Sequence, residues 1–281
     1  MTIREIPAEE ITQTVKRLCI EANTILGRDV IEGFEKGYRE EASPAGRSVI
    51  QQLQENAKIA EKEGIPLCQD TGLVVVFVEL GQEVHVTDGG LNEAIHEGVR
   101  QGYREGHLRA SSVDPLTRKN FGDNTPAIIH VEVTPGDQLK LHLAPKGFGS
   151  ENMSRVVLFP PSAGIEGVKD FIVQRVAESG PNPCPPLLVG VGIGGTFEQA
   201  ALIAKKSLLR PIGQRHQDPD VARLEEDILE AVNRLGIGPQ GLGGTITALD
   251  VHVETYPTHI ASLPVAVNIQ CHCARHKEAV L

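Results

Sequence analysis

The run GLVVVFVEL, residues 72–80, constrains what this chain can fold into more than any other segment. Its β-branched and aromatic residues follow one another without a polar break, the pattern of a largely buried strand. Such a strand needs covering layers, which the segments around it are suited to supply. Residues 8–26 and 46–62 carry Ile, Val, Leu and Ala at helical spacing, Gly64 stands where the second helix would stop, and residues 91–106 read as a further helix. Cys68, Gln69 and Asp70 therefore lie on the approach to a rigid strand.

Downstream, AIIHVEVTPGDQLKLHLAP alternates with period two on both sides of Pro135, Gly136 and Asp137, which predicts a β-hairpin. SAGIEGVKDFIVQRVAESG reads as a helix, LLVGVGIGG as a strand running into a glycine turn, and FEQAALIAKKSLL as another helix. DPDVARLEEDILEAVNRLG predicts a helix capped by Asp218 with Pro219 in its first turn, before the strand-like TALDVHVET and LPVAVNIQC. This alternation places the chain in the α/β class (mixed α+β), with mixed sheets and surrounding helices. Neither a low-complexity linker nor a true repeat divides residues 1–281, which read as a single domain.

The formal charge is −10. A surface of that sign repels nucleic-acid phosphates, so no nucleic acid is expected as a partner, although a local Arg/Lys cluster would still accept a small anion. Apolar runs fall short of the roughly 20 residues that span a bilayer, so no membrane is expected. The opening MTIREIPAEEI is acidic, unlike a signal peptide, which points to a cytoplasmic location. In a reducing compartment the five cysteines are expected to be free thiols or ligands.

Cys19, in VKRLCIEAN on the first helix, reads as packing. Cys68 in LCQDTG, Cys184 in NPCPP and Cys271 in NIQCHCARH each stand where a strand-like segment meets a turn or polar residues, so three distant loops are able to converge on one ion or cluster. Three protein ligands leave a fourth position open for substrate or water. Along a continued strand Cys273 shares a face with Cys271, and periodicity alone does not choose between them. Cys271, Cys273 and His276 also read as a zinc knuckle without a nearby fourth ligand.

Gly194-Gly195-Thr196 and Gly243-Gly244-Thr245 echo one another and suggest backbone amides brought close to a ligand or to each other. Gly190, Gly192 and Gly195 satisfy G-x-G-x-x-G, but the next helix runs into RPIGQRHQDPD, so the parallel strand of a dinucleotide site is not expected. Tight strand-to-helix packing is the plainer reading.

LCQDTG, DPLTRKNFGDNTPA, APKGFGSEN, GVGIGGTFEQAALIAKKSLLRPIG, VHVETYPTHIASLP and QCHCARH, in that order, resemble the iron–sulfur (class I) fumarate hydratase and L-tartrate dehydratase family, specifically its alpha subunit in the two-subunit form. The resemblance implies a fold like the N-terminal domain of iron–sulfur hydro-lyases. It implies a 4Fe-4S cluster on Cys68, Cys184 and Cys271 with one open iron. The cysteine of the family's C-W-A-x-R-R pattern falls at Cys271, and Cys273 departs from that pattern. Implied contacts to a small dicarboxylate substrate are Gln69, Asp70, Arg109, the backbone at Gly147 and Gly149, and His259; Lys146, Arg118, Lys119, Asn124 and Thr125 stand near these motifs.

The implied reaction interconverts fumarate and (S)-malate, with dehydration of L-tartrate as the alternative on the same elimination chemistry. Hydroxide leaves poorly unless a Lewis acid holds it, the C–H beside a carboxylate needs a base, and two carboxylates call for Arg or Lys. In the family's single-chain members the threonine base and part of the carboxylate clamp belong to a C-terminal domain that no segment here resembles. A separate beta subunit in an α2β2 assembly is therefore implied. The contrasting expectation is a non-catalytic zinc-binding or assembly protein built on CHCARH.

Overall fold

The computed structural model describes residues 3–281. In chain order the elements are β1 (Arg4–Pro7), α1 (Ala8–Thr24), α2 (Arg28–Glu40), α3 (Pro44–Glu63), β2 (Leu73–Gly81), β3 (Val84–Thr87), α4 (Leu91–Glu105), β4 (Ile128–Thr134) and β5 (Leu139–Lys146). They continue as α5 (Phe148–Glu151), β6 (Arg155–Phe159), α6 (Gly164–Ser179), β7 (Leu187–Gly194), α7 (Phe197–Ser207), α8 (Pro219–Asn233), β8 (Ala248–Tyr256), β9 (Leu263–Gln270) and β10 (Lys277–Val280). The mixed α/β class is as expected. Asp218 caps α8 by accepting the Asp220 N–H at 2.9 Å. No helix among the described residues is long and apolar enough to cross a membrane.

Residues 1–281, read above as a single domain, fold as two compact units interleaved along the chain. The first takes the chain up to Leu26, Ala57–Gly147 and Arg275–Leu281; the second takes Gly27–Asn56 and Phe148–Ala274.

In the first unit β2 is an inner strand of a sheet ordered β10-β5-β2-β4. Val74 through Val78 are buried, and Ile11, Val15, Leu18, Ile95, Val99 and Tyr103 of α1 and α4 share a core with Leu139, Leu141 and Leu143 of β5. A fully buried side chain of this kind contributes about 1.5–3 kcal/mol. Cys19 lies in that core and burial pushes its thiol pKa up, so it packs as expected.

The predicted hairpin is not formed. β4 pairs in parallel with one edge of β2 and β5 pairs antiparallel with the other, so the two strands flanking Pro135-Gly136-Asp137 straddle β2. A strand whose residues are buried needs hydrogen-bond partners on both edges, and a hairpin of β4 with β5 would leave β2 with one. The turn closes over the end of β2 instead: Gly81 N–H donates to Gln138 O at 2.9 Å and Glu83 N–H to Gly136 O at 3.0 Å.

The second unit's sheet is ordered β6-β9-β7-β8. Leu187, Val189 and Val191 of β7 share a core with α6 and α8 through Val168, Ile172, Leu224 and Ile228. The alternate positions are glycines, and α7 lies on that face. A Cβ on Gly190 would stand 2.2 Å from Ala204 O, and one on Gly192 2.1 Å from Ala200 O. These glycines serve strand-to-helix packing. The parallel strand judged absent does follow, however, because after α8 the chain returns as β8, parallel to β7. The sequence pattern marks both crossover helices and the strand after them, but not that this strand pairs with β7. The glycine face is nonetheless filled by α7, which leaves no backbone approach for a pyrophosphate.

The second Gly-Gly-Thr does gather amides around an anion, and the anion is the chain's own. Glu41, just after α2, is fully buried. Its carboxylate accepts the N–H groups of Ser43 (2.8 Å), Thr245 (2.9 and 3.0 Å) and Ile246 (2.8 Å). Gly244, at φ 138°, lies against it: a Cβ there would come 2.5 Å from Glu41 Oε1. Burial alone would raise the pKa of Glu41, but these amide donors outweigh burial and hold it below the ordinary value.

Two outcomes follow from this packing. Gly192→Ala is expected to cost about 1–3 kcal/mol, because the added methyl meets helix backbone that cannot swing aside; the readout is a lower denaturant midpoint at unchanged slope, and unchanged stability would show that α7 is free to lift. Since the folded pKa of Glu41 is depressed, its contribution is present above the unfolded value of about 4.3 and is lost as pH falls through the folded value. Glu41→Gln should therefore be about 1–3 kcal/mol less stable at neutral pH, with the gap to the parent narrowing in unfolding titrations below about pH 4. A gap independent of pH would refute the carboxylate's role.

Candidate active site

In the first unit the segment Leu67–Gly72 leads into β2 and carries Cys68, Gln69 and Asp70. Strand pairing begins only at Leu73, opposite Lys146, so the segment's inward carbonyls are met by side chains. Tyr103 Oη donates to Thr71 O at 2.6 Å and lies 3.1 Å from Gly72 O. Asn124 Nδ2 donates to Gly72 O at 3.1 Å, and Arg275 Nη2 donates to Asp70 O at 2.8 Å. Leu67 N–H donates to Asn23 O at 2.8 Å. Asp70 closes a short turn by accepting the Gly72 N–H on Oδ1 at 3.0 Å.

Cys68 Sγ accepts the Asp70 N–H at 3.4 Å and lies 3.3 Å from Gln69 Oε1. Arg109 is pinned to the same loop by its backbone: Thr71 Oγ1 donates to Arg109 O at 3.1 Å and accepts Arg109 N–H at 3.0 Å. Its side chain is exposed. Gly147 follows β5 and is buried; a Cβ there would stand 3.3 Å from Asp70 Oδ2. Lys146 is buried and Asn124 fully so, whereas Arg118 and Lys119 are exposed and Thr125 is half-buried. Thus Cys68, Gln69, Asp70, Arg109 and Gly147 are brought together at one end of this unit's sheet.

The second unit places Cys184 just before β7 and Cys271 just after β9. These strands are antiparallel with Leu188 opposite Gln270, so both cysteines lie at the same end of the sheet. Their loops are joined. His272 N–H donates to Cys184 O at 3.3 Å, and His272 Nδ1 lies 3.1 Å from that oxygen. Cys184 is exposed and holds φ 57°, a left-handed conformation uncommon outside glycine that surrounding bonds must maintain. Gly149, in α5, stands near the Cys184 loop, since its Cβ would be 3.6 Å from Asn182 O.

Cys271 and Cys273 are separated by burial. Strand pairing of β9 ends at Gln270, so the shared-face pattern does not extend to them. Cys271 is partly accessible with Gln270 Nε2 3.6 Å from its sulfur, whereas Cys273 is 1% exposed. His259 lies elsewhere. It is exposed in the connection from β8 to β9, accepts the Ala261 N–H on Nδ1 at 3.2 Å, and occupies the end of this sheet opposite Cys271. The length of β9 separates them, roughly 26 Å for eight residues.

None of the five cysteines is joined in a disulfide. Among the described residues no three His, Cys, Asp or Glu side chains of the chain stand grouped to hold a metal ion. The donor set nonetheless suits a thiolate-bound iron–sulfur group: Cys68, Cys184 and Cys271 are accessible, and N–H groups point at the sulfurs of Cys68 and Cys271. Sequence reading missed Asn23, Tyr103 and Arg275. Polar groups on the apolar faces of α1 and α4 were the available signal for the first two.

The family model described as Fumarate hydratase (Fumerase) matches residues 12–280. The chain is 45% identical over 268 residues to a Methanocaldococcus jannaschii protein named "Putative L(+)-tartrate dehydratase subunit alpha", covering 93% of this chain and 94% of that one. It is 33% identical over 266 residues to the L(+)-tartrate dehydratase subunit alpha of Escherichia coli O157:H7, covering 93% and 88%. The same name is carried by a Shigella sonnei protein at 32% identity over 266 residues, again covering 93% and 88%. Taken with the loop that joins a thiol, a carboxylate and an exposed arginine, this places the chain in the fumarate hydratase (Fumerase) family of hydro-lyases, alongside its alpha subunits.

Proposed function

We propose that this chain is the cluster-bearing alpha subunit of a class I hydro-lyase that interconverts fumarate and (S)-malate. The observation that carries the reading is the split among the cysteines: Cys68, Cys184 and Cys271 are accessible, while Cys19 and Cys273 are buried. The first three would hold a 4Fe-4S cluster. Such a group, when bound, supplies a Lewis-acidic iron for the departing or entering oxygen. A second reading, dehydration of L-tartrate, is favoured by the names of the relatives.

The chain's own part is binding and orientation. Arg109 offers a planar fork to one substrate carboxylate, and the tie of its backbone to Thr71 anchors the residue beside the Cys68 loop. Gln69 and Asp70 follow the ligand cysteine and present an amide and a carboxylate for hydroxyl or carboxylate groups. Gly147 and Gly149 present backbone without a Cβ to obstruct the substrate. The proton-abstracting base and the rest of the clamp are proposed to come from a beta subunit in a cytoplasmic α2β2 assembly, with residues 1–281 acting as one cluster-binding catalytic domain.

Two measurements test this. Cys68→Ser, Cys184→Ser and Cys271→Ser should each lose iron and sulfide when purified anaerobically, because an alcohol is a poor substitute for a soft thiolate, whereas Cys19→Ser and Cys273→Ser should retain them. Full iron in Cys271→Ser with loss in Cys273→Ser would transfer the third ligand. In the second, the chain and its beta subunit are purified apart and assayed singly and mixed on fumarate and on L-tartrate. Turnover is expected only on mixing, since a Lewis acid without an oriented base binds but does not convert; turnover by this chain alone would place the base within residues 1–281.

A further inference from the structure

We infer that Arg275 is a positioning residue that sets the geometry of the Cys68–Asp70 loop; this rests on the proposed function, under which that loop carries a cluster ligand and substrate contacts. Arg275 is 4% exposed. One arm of its guanidinium, Nη1, donates to Asn23 Oδ1 at 3.0 Å, and the other, Nη2, donates to Asp70 O at 2.8 Å. Asn23 is itself locked: its Nδ2 donates to Cys19 O at 2.9 Å and its backbone O accepts Leu67 N–H at 2.8 Å. Asn23 therefore holds the residue before Cys68, and Arg275 holds the residue two after it.

A rigid two-armed donor is what this geometry requires. The acceptors are one side-chain oxygen and one backbone oxygen, and a planar guanidinium reaches both at a fixed separation. A lysine ammonium is a point donor on a flexible stem. Gly147 completes the arrangement: the position of its missing Cβ is 3.3 Å from Asp70 Oδ2 and 3.5 Å from Arg275 Nη2, so the carboxylate and the guanidinium border the same small space. Nε of Arg275 is buried without a partner, so the side chain is held in place for the bonds of its two arms at the cost of a third donor. Arg275 also follows Cys271 by four residues, so one short segment carries one candidate ligand and the brace of another.

The test uses the full chain as parent, Arg275→Lys, Arg275→Ala and Asn23→Ala, prepared anaerobically. In cluster-free protein, hydrogen exchange at residues 68–71 and alkylation of the Cys68 thiol by iodoacetamide are compared with exchange in β7 and alkylation of Cys184. The expected result is a several-fold rise confined to the Cys68 loop in all three variants, smallest in Asn23→Ala, with guanidinium ion restoring slow alkylation to Arg275→Ala. After reconstitution the same variants should hold less iron and sulfide than the parent. Rates at Cys68 unchanged in Arg275→Lys, or raised equally at Cys68, Cys184 and β7, would overturn the inference, the second outcome marking Arg275 as a residue of general stability. A parent chain that takes up no iron and sulfide would defeat the proposed function instead, and the exchange comparison would still decide whether Arg275 sets the loop.

Discussion

Backbone carbonyls that turn inward must find donors, and the candidate site depends on how that requirement is met. Before β2 begins to pair, the carbonyls of Asp70, Thr71 and Gly72 have no strand beside them. Arg275, Tyr103 and Asn124 supply the donors. Each is buried and anchored in a different part of the first unit, so the loop cannot shift without breaking bonds to several elements. The Cys68 thiol, the Asp70 carboxylate and the backbone of Arg109 thereby share one rigid frame, the preorganisation that binding and catalysis both need.

The two units solve the same positional problem in the same way. Each contains an antiparallel pair in which one strand starts where its partner stops: β2 beside β5, and β7 beside β9. The loops proposed to be functional then come from residues far apart in sequence, Cys68 with Gly147 in one unit and Cys184 with Cys271 in the other. The core beneath fixes the strands, while the loops remain free to carry chemistry. His259 marks the opposite end of the second sheet and takes no part in that clustering.

Much of this was legible in local patterns. The continuous apolar run of β2, the stop at Gly64 and the Asp218-Pro219 cap each have a local physical cause, and the structure keeps them. What local pattern could not carry was partnership. The alternation around Pro135 identifies two strands, yet nothing in it says that β2 inserts between them. Both helices after Gly195 are readable, but not that the strand after the second returns parallel to β7. Parity could not separate Cys271 from Cys273, because it presumes a strand that ends at Gln270. Nor does Gly-Gly-Thr reveal that its amides face Glu41, some two hundred residues earlier in the chain.

The interleaving of the units bears on the order in which the chain can be made and assembled. Its first sheet is completed by β10, and the core of that unit also packs against Ala279 and Leu281. During synthesis from the N-terminus, every strand of the second unit emerges before β10 does. The ribosome therefore releases β2 and the covering helices α1 and α4 well before that sheet has its last member, and long-range closure of this kind is intrinsically slow. Arg275 belongs to the same late segment. The Cys68 loop is braced only after the whole second unit has been made, so a nascent chain presents that thiol on an unfinished loop until Arg275 emerges.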